Sequence, residues 1–232
     1  MSNETKLNEW NSSYSKGDNF IYYPHEEVIR FFARYVRKRV GINDFENKSD
    51  FDNPKVLDLG CGIGRHVRFC DDIQIEAYGI DLSEVAIKEA KRLCEAEGRK
   101  HLVERFHIGS VTKTPWKDGT FNFIVSHGVL DSMSFELAKA TIAECRRILS
   151  DNGKFYLDLI SGDDDNHYTE FSGDEIVTIS HEKNTIQSYY NFARIQELIG
   201  GSFSLEECRL IRNQNVIGPD WHSRYHTILK GI

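Results

Sequence analysis

The run Lys55-Val56-Leu57-Asp58-Leu59-Gly60-Cys61-Gly62-Ile63-Gly64 constrains this chain more than any other segment. A short apolar strand enters three glycines at alternate positions, with an aspartate two residues before the first. Glycine has no Cβ and tolerates positive φ, so such a turn lets backbone approach a ligand closely. Twenty-one residues after Gly60 a second apolar strand, Ala77-Tyr78-Gly79-Ile80, ends on Asp81. An acid at that strand tip can accept hydrogen bonds from both hydroxyls of a ribose. Turn and acid together describe a nucleoside site at the switch point of a parallel sheet.

The dinucleotide fingerprint G-x-G-x-x-G needs its third glycine at position 65, which is Arg65; the third glycine comes one residue early, at Gly64. No Gly-Lys-Ser/Thr follows, so the phosphate-loop pattern fails as well. Asp58 beside the turn repels phosphates and suits a cationic ligand. The pattern therefore favours a nucleoside of positive character without phosphate.

Four segments in order resemble the class I S-adenosylmethionine-dependent methyltransferases: VLDLGCGIGRHV (56–67), YGIDLSEVAIKEA (78–90), FNFIVSHGVLDSM (121–133) and ILSDNGKFYLDLI (148–160). The resemblance is clear over 54–160 and looser beyond. It implies S-adenosylmethionine as cofactor and S-adenosylhomocysteine as product. Carried to matching positions, it assigns backbone of Gly60, Cys61 and Gly62 to the amino-acid and ribose parts. Asp58 goes near the methionyl ammonium, directly or through a hydrogen-bonded shell, and Asp81 to the ribose hydroxyls. Leu82 packs on the adenine. Many members place an aspartate after the third strand to accept from the adenine amino group. This chain reads Gly109-Ser110-Val111 there, so the Ser110 hydroxyl and the Val111 backbone take that place without the charge. Ser126-His127-Gly128 ends the fourth strand, where the methyl group would point. Ser126 joins the cofactor-binding set.

His127 is the first catalytic candidate, as a base or substrate orienter, because imidazole titrates near neutral pH. The alternative is a hydrogen-bonded histidine without chemistry. Asp131 is a second candidate. Trp10, Tyr14, Tyr22 and Tyr23 either form an N-terminal lid over the sulfonium, with Tyr14 foremost, or staple the N-terminal segment to the core. Aromatic faces attract cations by ~0.5–2 kcal/mol. No metal is expected. His222 and His226 have the spacing of a helical metal pair, but on the strand expected there they stand about 13 Å apart. Asp163-Asp164-Asp165-Asn166 is read as a solvated turn, and Cys61 as a small side chain inside the glycine turn.

The 232 residues fit one α/β domain. Alternation of strands near 55–59, 76–80, 103–108, 121–126 and 153–160 with helices near 64–72, 83–97 and 135–149 predicts a Rossmann-like, doubly wound, mostly parallel seven-stranded sheet. Residues 1–50 form an N-terminal lid and a helix near 25–40, and 54–160 the cofactor-binding core. Residues 161–191 hold a small inserted hairpin cap turning at 182–184. Residues 192–232 complete the sheet with a helix near 192–199 and an antiparallel C-terminal edge strand.

No stretch of about 18 apolar residues and no charged-then-apolar leader is present, so neither a membrane span nor a signal peptide is expected. Five dispersed cysteines without a CxxC read as reduced thiols in a cytoplasmic protein. The formal net charge of −7 disfavours nucleic acid as a partner, which needs a positive surface. The one basic cluster, Arg30 to Arg39, is read as a solvated helix face, or else as an anion-binding one. The expected acceptor is a small polar molecule, a metabolite, sugar or glycan precursor, methylated on oxygen or nitrogen. The alternatives are an RNA methyltransferase and a non-catalytic S-adenosylmethionine-binding module.

Overall fold

The computed structural model describes residues 3–17, 19–165, 167, 172–178 and 185–232. Helices α1 (Asn3–Lys16) and α2 (Glu26–Tyr35) precede a small antiparallel hairpin, β1 (Arg37–Arg39) and β2 (Phe45–Asn47). The alternating core follows: β3 (Lys55–Leu59), α3 (Arg65–Asp72), β4 (Glu76–Asp81), α4 (Glu84–Ala96), β5 (Phe106–Ile108), β6 (Phe121–Ser126), α5 (Phe135–Ile148) and β7 (Leu149–Ile160). A second hairpin, β8 (Gly173–Ile176) with β9 (Ile186–Tyr189), comes next. Helix α6 (Phe192–Ile199) and strands β10 (Phe203–Gln214) and β11 (Trp221–Gly231) close the chain.

The seven-stranded sheet has the order β10-β11-β7-β6-β3-β4-β5. Strands β3 to β7 are parallel, and β11 runs antiparallel between β7 and β10. The fold class is the one expected from sequence, with one difference: the last strand lies one place in from the edge. Burial explains it. Ser223 and the run His226 to Leu229 of β11 are buried, as a strand flanked on both sides must be. Strand β10 carries Glu206, Glu207, Arg209 and Arg212, charges that suit a free edge.

Each face of the sheet has its own core, and residue parity along each strand decides which face a side chain joins. Leu57 and Leu59 of β3, Ile124 of β6, Leu157 and Leu159 of β7 and Leu229 of β11 pack with α5 and α6. Val56, Phe123, Val125, Tyr156 and Ile228 pack with α2, α3 and α4. By the same parity Asp58, Asp158, Arg224 and His226 belong to the α2–α3 face.

Several boundaries differ from the sequence reading. Residues 3–16 form a helix, where only a polar aromatic segment was expected. Helix α2 stops at Tyr35, and Arg37–Arg39 turns into a hairpin strand, with the Arg37 guanidinium on the carbonyls of Ile73 and Gln74. A 3-10 turn, Lys100–Arg105, replaces the first half of the expected third strand. A hairpin does pair 173–176 with 186–189 inside the expected insert, its first strand starting earlier than the 175–181 expected, while the turn expected at 182–184 lies outside the described residues.

Candidate functional site

The glycine turn adopts positive φ at Gly60 (71°), Gly62 (52°) and Gly64 (78°). The N–H groups of Gly60 and Cys61 both donate to the carbonyl of Ile80, fastening the turn to the end of β4. Close packing on the neighbouring layer falls to Gly64, where a Cβ would sit 2.5 Å from the Phe106 ring. Arg65 is thereby free to be large, and its side chain lines the cleft above the turn.

That cleft has a volume of about 410 Å3, in the ~300–1,000 Å3 range of small-molecule sites. One end is built by Asp81, Leu82, Ser110 and Val111. Oδ2 of Asp81 accepts from Gly62 N–H at 2.8 Å, and Oδ1 from Ser83 N–H at 2.8 Å. Burial raises the Asp81 carboxyl above its ordinary value, and those two backbone donors oppose the rise. Gly62 N–H, which a phosphate loop would offer to an anion, is thus directed at an acid of the chain itself. Ser83 caps α4 by accepting from Ala86 N–H at 3.1 Å, and its hydroxyl meets Asn11 of α1 at 2.7 Å. This contact helps to seat α1, bringing Trp10 and Tyr14 into the cleft wall. The Tyr14 hydroxyl lies 2.6 Å from where a Gly62 Cβ would stand, and burial raises its pKa. Cys61 is buried, which pushes its thiol well up and leaves it a spacer.

The other end of the cleft is polar. His25, Arg65, His127 and Arg224 line it. The rings of His25 and His127 lie 3.9 Å apart between centroids. An arginine only donates, so Arg65 Nη2 at 3.2 Å makes Nδ1 of His127 an acceptor. The proton of the neutral ring then sits on Nε2, 3.5 Å from Oδ2 of Asp158. Burial holds His127 well below its ordinary pKa, Asp158 pulling the other way, and burial likewise lowers His25. Arg224 ion-pairs with both Asp158 and Asp131. Although burial opposes it, the Arg224 guanidinium keeps the Asp158 carboxyl below its usual value. Asp131 goes the other way, raised by burial.

Of the site residues named from sequence, Tyr14, Gly60, Cys61, Gly62, Asp81, Leu82, Ser110, Val111 and His127 surround this one cleft. Asp58, Ser126 and Asp131 lie one layer behind it. Asp58 is 2% exposed and holds His66 Nδ1 at 3.1 Å, with its second oxygen partnerless. Ser126 is fully buried with its hydroxyl unpaired. Asp131 accepts from Ile160 N–H at 3.0 Å and from Arg224. Sequence reading missed His25, Arg65, Asp158 and Arg224. Only Arg65, adjoining the glycine turn, had a local signal.

Among the described residues no cluster of three His, Cys, Asp or Glu side chains could hold a metal ion. His226 bonds the Tyr156 hydroxyl at 2.7 Å, and His222 is 3.6 Å from Asp164. Asp163 receives Arg212, Asp164 receives Ser223 N–H, and Asn166 lies outside the described residues. Within the basic cluster the two arginines of α2 are paired, Arg30 with Glu26 and Glu27 and Arg34 with Glu207, while Arg37 and Arg39 bond backbone carbonyls. No helix among the described residues is long and apolar enough to cross a membrane.

An acid at the β4 tip, a glycine turn whose N–H groups are spent on Ile80 and Asp81, an aromatic wall and a partnerless carboxylate oxygen one layer behind fit a nucleoside of positive character without phosphate. Sheet order and cleft together define the class I S-adenosylmethionine-dependent methyltransferases. Residues 57–157 match the family model described as "Methyltransferase domain". It is 32% identical over 102 residues to a chloroplastic tocopherol O-methyltransferase of Arabidopsis thaliana, 44% of this chain and 26% of that one. It is 33% identical over 86 residues to a protein-lysine N-methyltransferase of Saccharomyces cerevisiae, 36% of this chain and 37% of that one. The chain spans less than half the length of the curated relatives it matches. In fold it is similar to the 1,6-didemethyltoxoflavin-N1-methyltransferase of Burkholderia thailandensis, solved with 1,6-didemethyltoxoflavin and S-adenosylhomocysteine bound. The TM-score is 0.70 at 14% identity, over 99% of this chain and 88% of that one.

Proposed function

We propose that this chain moves a methyl group from S-adenosylmethionine to an oxygen or nitrogen of a small polar molecule, releasing S-adenosylhomocysteine. The observation that carries the reading is a single cleft with Asp81 at one end and the neutral imidazole of His127 at the other. The cofactor supplies a methyl group on a sulfonium, an electrophile with a neutral leaving group. The residues of the chain hold, orient and shield. Asp81 receives the ribose hydroxyls on lone pairs left over from its two backbone bonds. Leu82 and Val111 flank the adenine, and the Ser110 hydroxyl accepts from its amino group. Backbone of Gly60, Cys61 and Gly62 carries the remainder, with Tyr14 shielding the sulfonium from water. Asp58 and Ser126 act from the second layer, Asp58 through His66. His127 orients the acceptor and takes its proton, and the β8–β9 hairpin caps the acceptor. Alignment of reactants in such a cleft is worth ~7–11 kcal/mol of a barrier.

Neutralised arginines on α2 and the net charge of −7 support a small molecule over nucleic acid as acceptor. Four buried free thiols agree with a cytoplasmic setting. The test is incubation with methyl-labelled S-adenosylmethionine and cell extract, then separation into small molecules, glycan and lipid, protein, and nucleic acid. Label in small molecules or glycan precursors is the expected result. Label in RNA would sink the small-molecule assignment. Cofactor binding without label in any fraction would favour a binding module.

A further inference from the structure

Arg65 is a half-buried cation without a carboxylate. Among the described residues its one hydrogen bond goes to Nδ1 of His127, and it joins no ion pair. A guanidinium has five N–H donors, so most of its capacity faces the cleft unused. Arg224 contributes a second guanidinium to the same wall. Its Nε and Nη2 are bound from behind by Asp158 and Asp131, leaving Nη1 without a partner among the described residues. The carboxylates of this region, Asp58, Asp131 and Asp158, stand behind the wall and the guanidiniums in front. Two planar forks aimed into one cavity match an oxyanion, which guanidinium recognises in bidentate fashion.

His127 adds the second half of the argument. Its proton is on Nε2 toward Asp158, and the Nδ1 lone pair is covered by Arg65. In that state neither ring nitrogen is available to a substrate. The groups facing the ring are His25 at the N-cap of α2, Arg65 and His66 of α3, Asp158 of β7 and Arg224 of β11, with Asp58 on the His66 ring and His226 on the His25 ring. Of these, Arg65 alone bonds Nδ1 itself among the described residues.

We propose that the acceptor carries an oxyanion, a carboxylate or a phosphate, received by Arg65 and Arg224, and that Arg65 in turning to it uncovers Nδ1 of His127. The proton of the acceptor O–H or N–H then passes to Nδ1. The electron pair of that bond stays on the acceptor atom that becomes methylated, and Asp158 faces the Nε2–H of the resulting imidazolium. Arg65 is a specificity residue and Asp158 a positioning one. An acceptor without the anion leaves the base covered, so water or a stray hydroxyl does not meet a free imidazole. The proton step rests on the methyl-transfer reading above.

The test uses full-length protein with 15N-labelled histidine, saturated with S-adenosylhomocysteine, and titrated separately with inorganic phosphate and with succinate. Expected is saturable binding of at least one anion, with the His127 Nδ1 resonance shifting as its hydrogen bond is lost. The tighter anion identifies the acceptor group. Arg65→Gln should weaken that binding tenfold or more and remove the shift, leaving S-adenosylhomocysteine affinity within twofold. Arg65→Lys, which keeps the charge but loses the fork, should fall between. Absence of a saturable, Arg65-dependent response in either titration would overturn the proposal. So would a tenfold loss of S-adenosylhomocysteine affinity in Arg65→Gln, which would assign the guanidinium to the cofactor's own carboxylate. Failure of the wild-type chain to bind S-adenosylhomocysteine would instead sink the methyl-transfer reading, and the anion titration can still be judged on the free protein.

Discussion

The two ends of the cleft make different demands on single residues. Asp81 is already held by two backbone N–H groups, so Asp81→Asn keeps the shape of the β4 tip while removing the charge. A charge-assisted hydrogen bond is worth roughly 1.5–3 kcal/mol, so the variant should bind S-adenosylmethionine about ten- to a hundredfold more weakly by calorimetry. His127→Gln should bind the cofactor as well as the parent, yet lose on the order of 10²–10⁴ in turnover. Full turnover in that variant would return His127 to a structural role. Asp81 and the glycines were legible in the sequence because strand, turn and next strand tip lie within 30 residues. The companions of His127 were not. Asp158 and Arg224 are far apart in sequence and share an ion pair only because β11 inserts beside β7.

Elements add constraints that no single residue announces. The turn from β3 into α3 is seated on β5 through Gly64, which combines positive φ with a ring 2.5 Å from its missing Cβ. Gly64→Ala should cost about 2–4 kcal/mol in urea unfolding, from strain and overpacking together. Near-continuous apolar runs made the parallel strands readable, since these strands are buried on both faces. Helix α1 was read only as an aromatic segment, because Leu7, Trp10 and Tyr14 are its sole large apolar side chains. Its position depends on contact with α4 and on the Asn11–Ser83 bond, neither visible from local pattern. The hairpin β1–β2 escaped for a similar reason: what fixes Arg37 is a pair of carbonyls at the end of α3.

Across the whole molecule, buried neutral imidazoles set the response to acid. Burial pushes His226 down to about 4 from 6.5, and it lowers His25 and His127 in the same sense. Unfolded chains take up these protons below pH 6.5, whereas the native His226 resists until about pH 4. The stabilisation is therefore complete above pH 6.5 and lost as pH falls toward 4. On the order of 2–3 kcal/mol should disappear for His226 alone, at 1.36 kcal/mol per pH unit. Urea titrations at pH 7 and pH 4.5 measure it, and His226→Gln should flatten the difference. The inserted position of β11 has a consequence for biosynthesis. Chains emerge N-terminus first, so the strands holding Asp81 and the glycine turn are available before the one carrying Arg224. Until β11 arrives, the flank of β7 is open and Asp131 and Asp158 lack their shared counter-ion. A nascent chain thus assembles the Asp81 end of the cleft before the Arg224 end, which waits for β11.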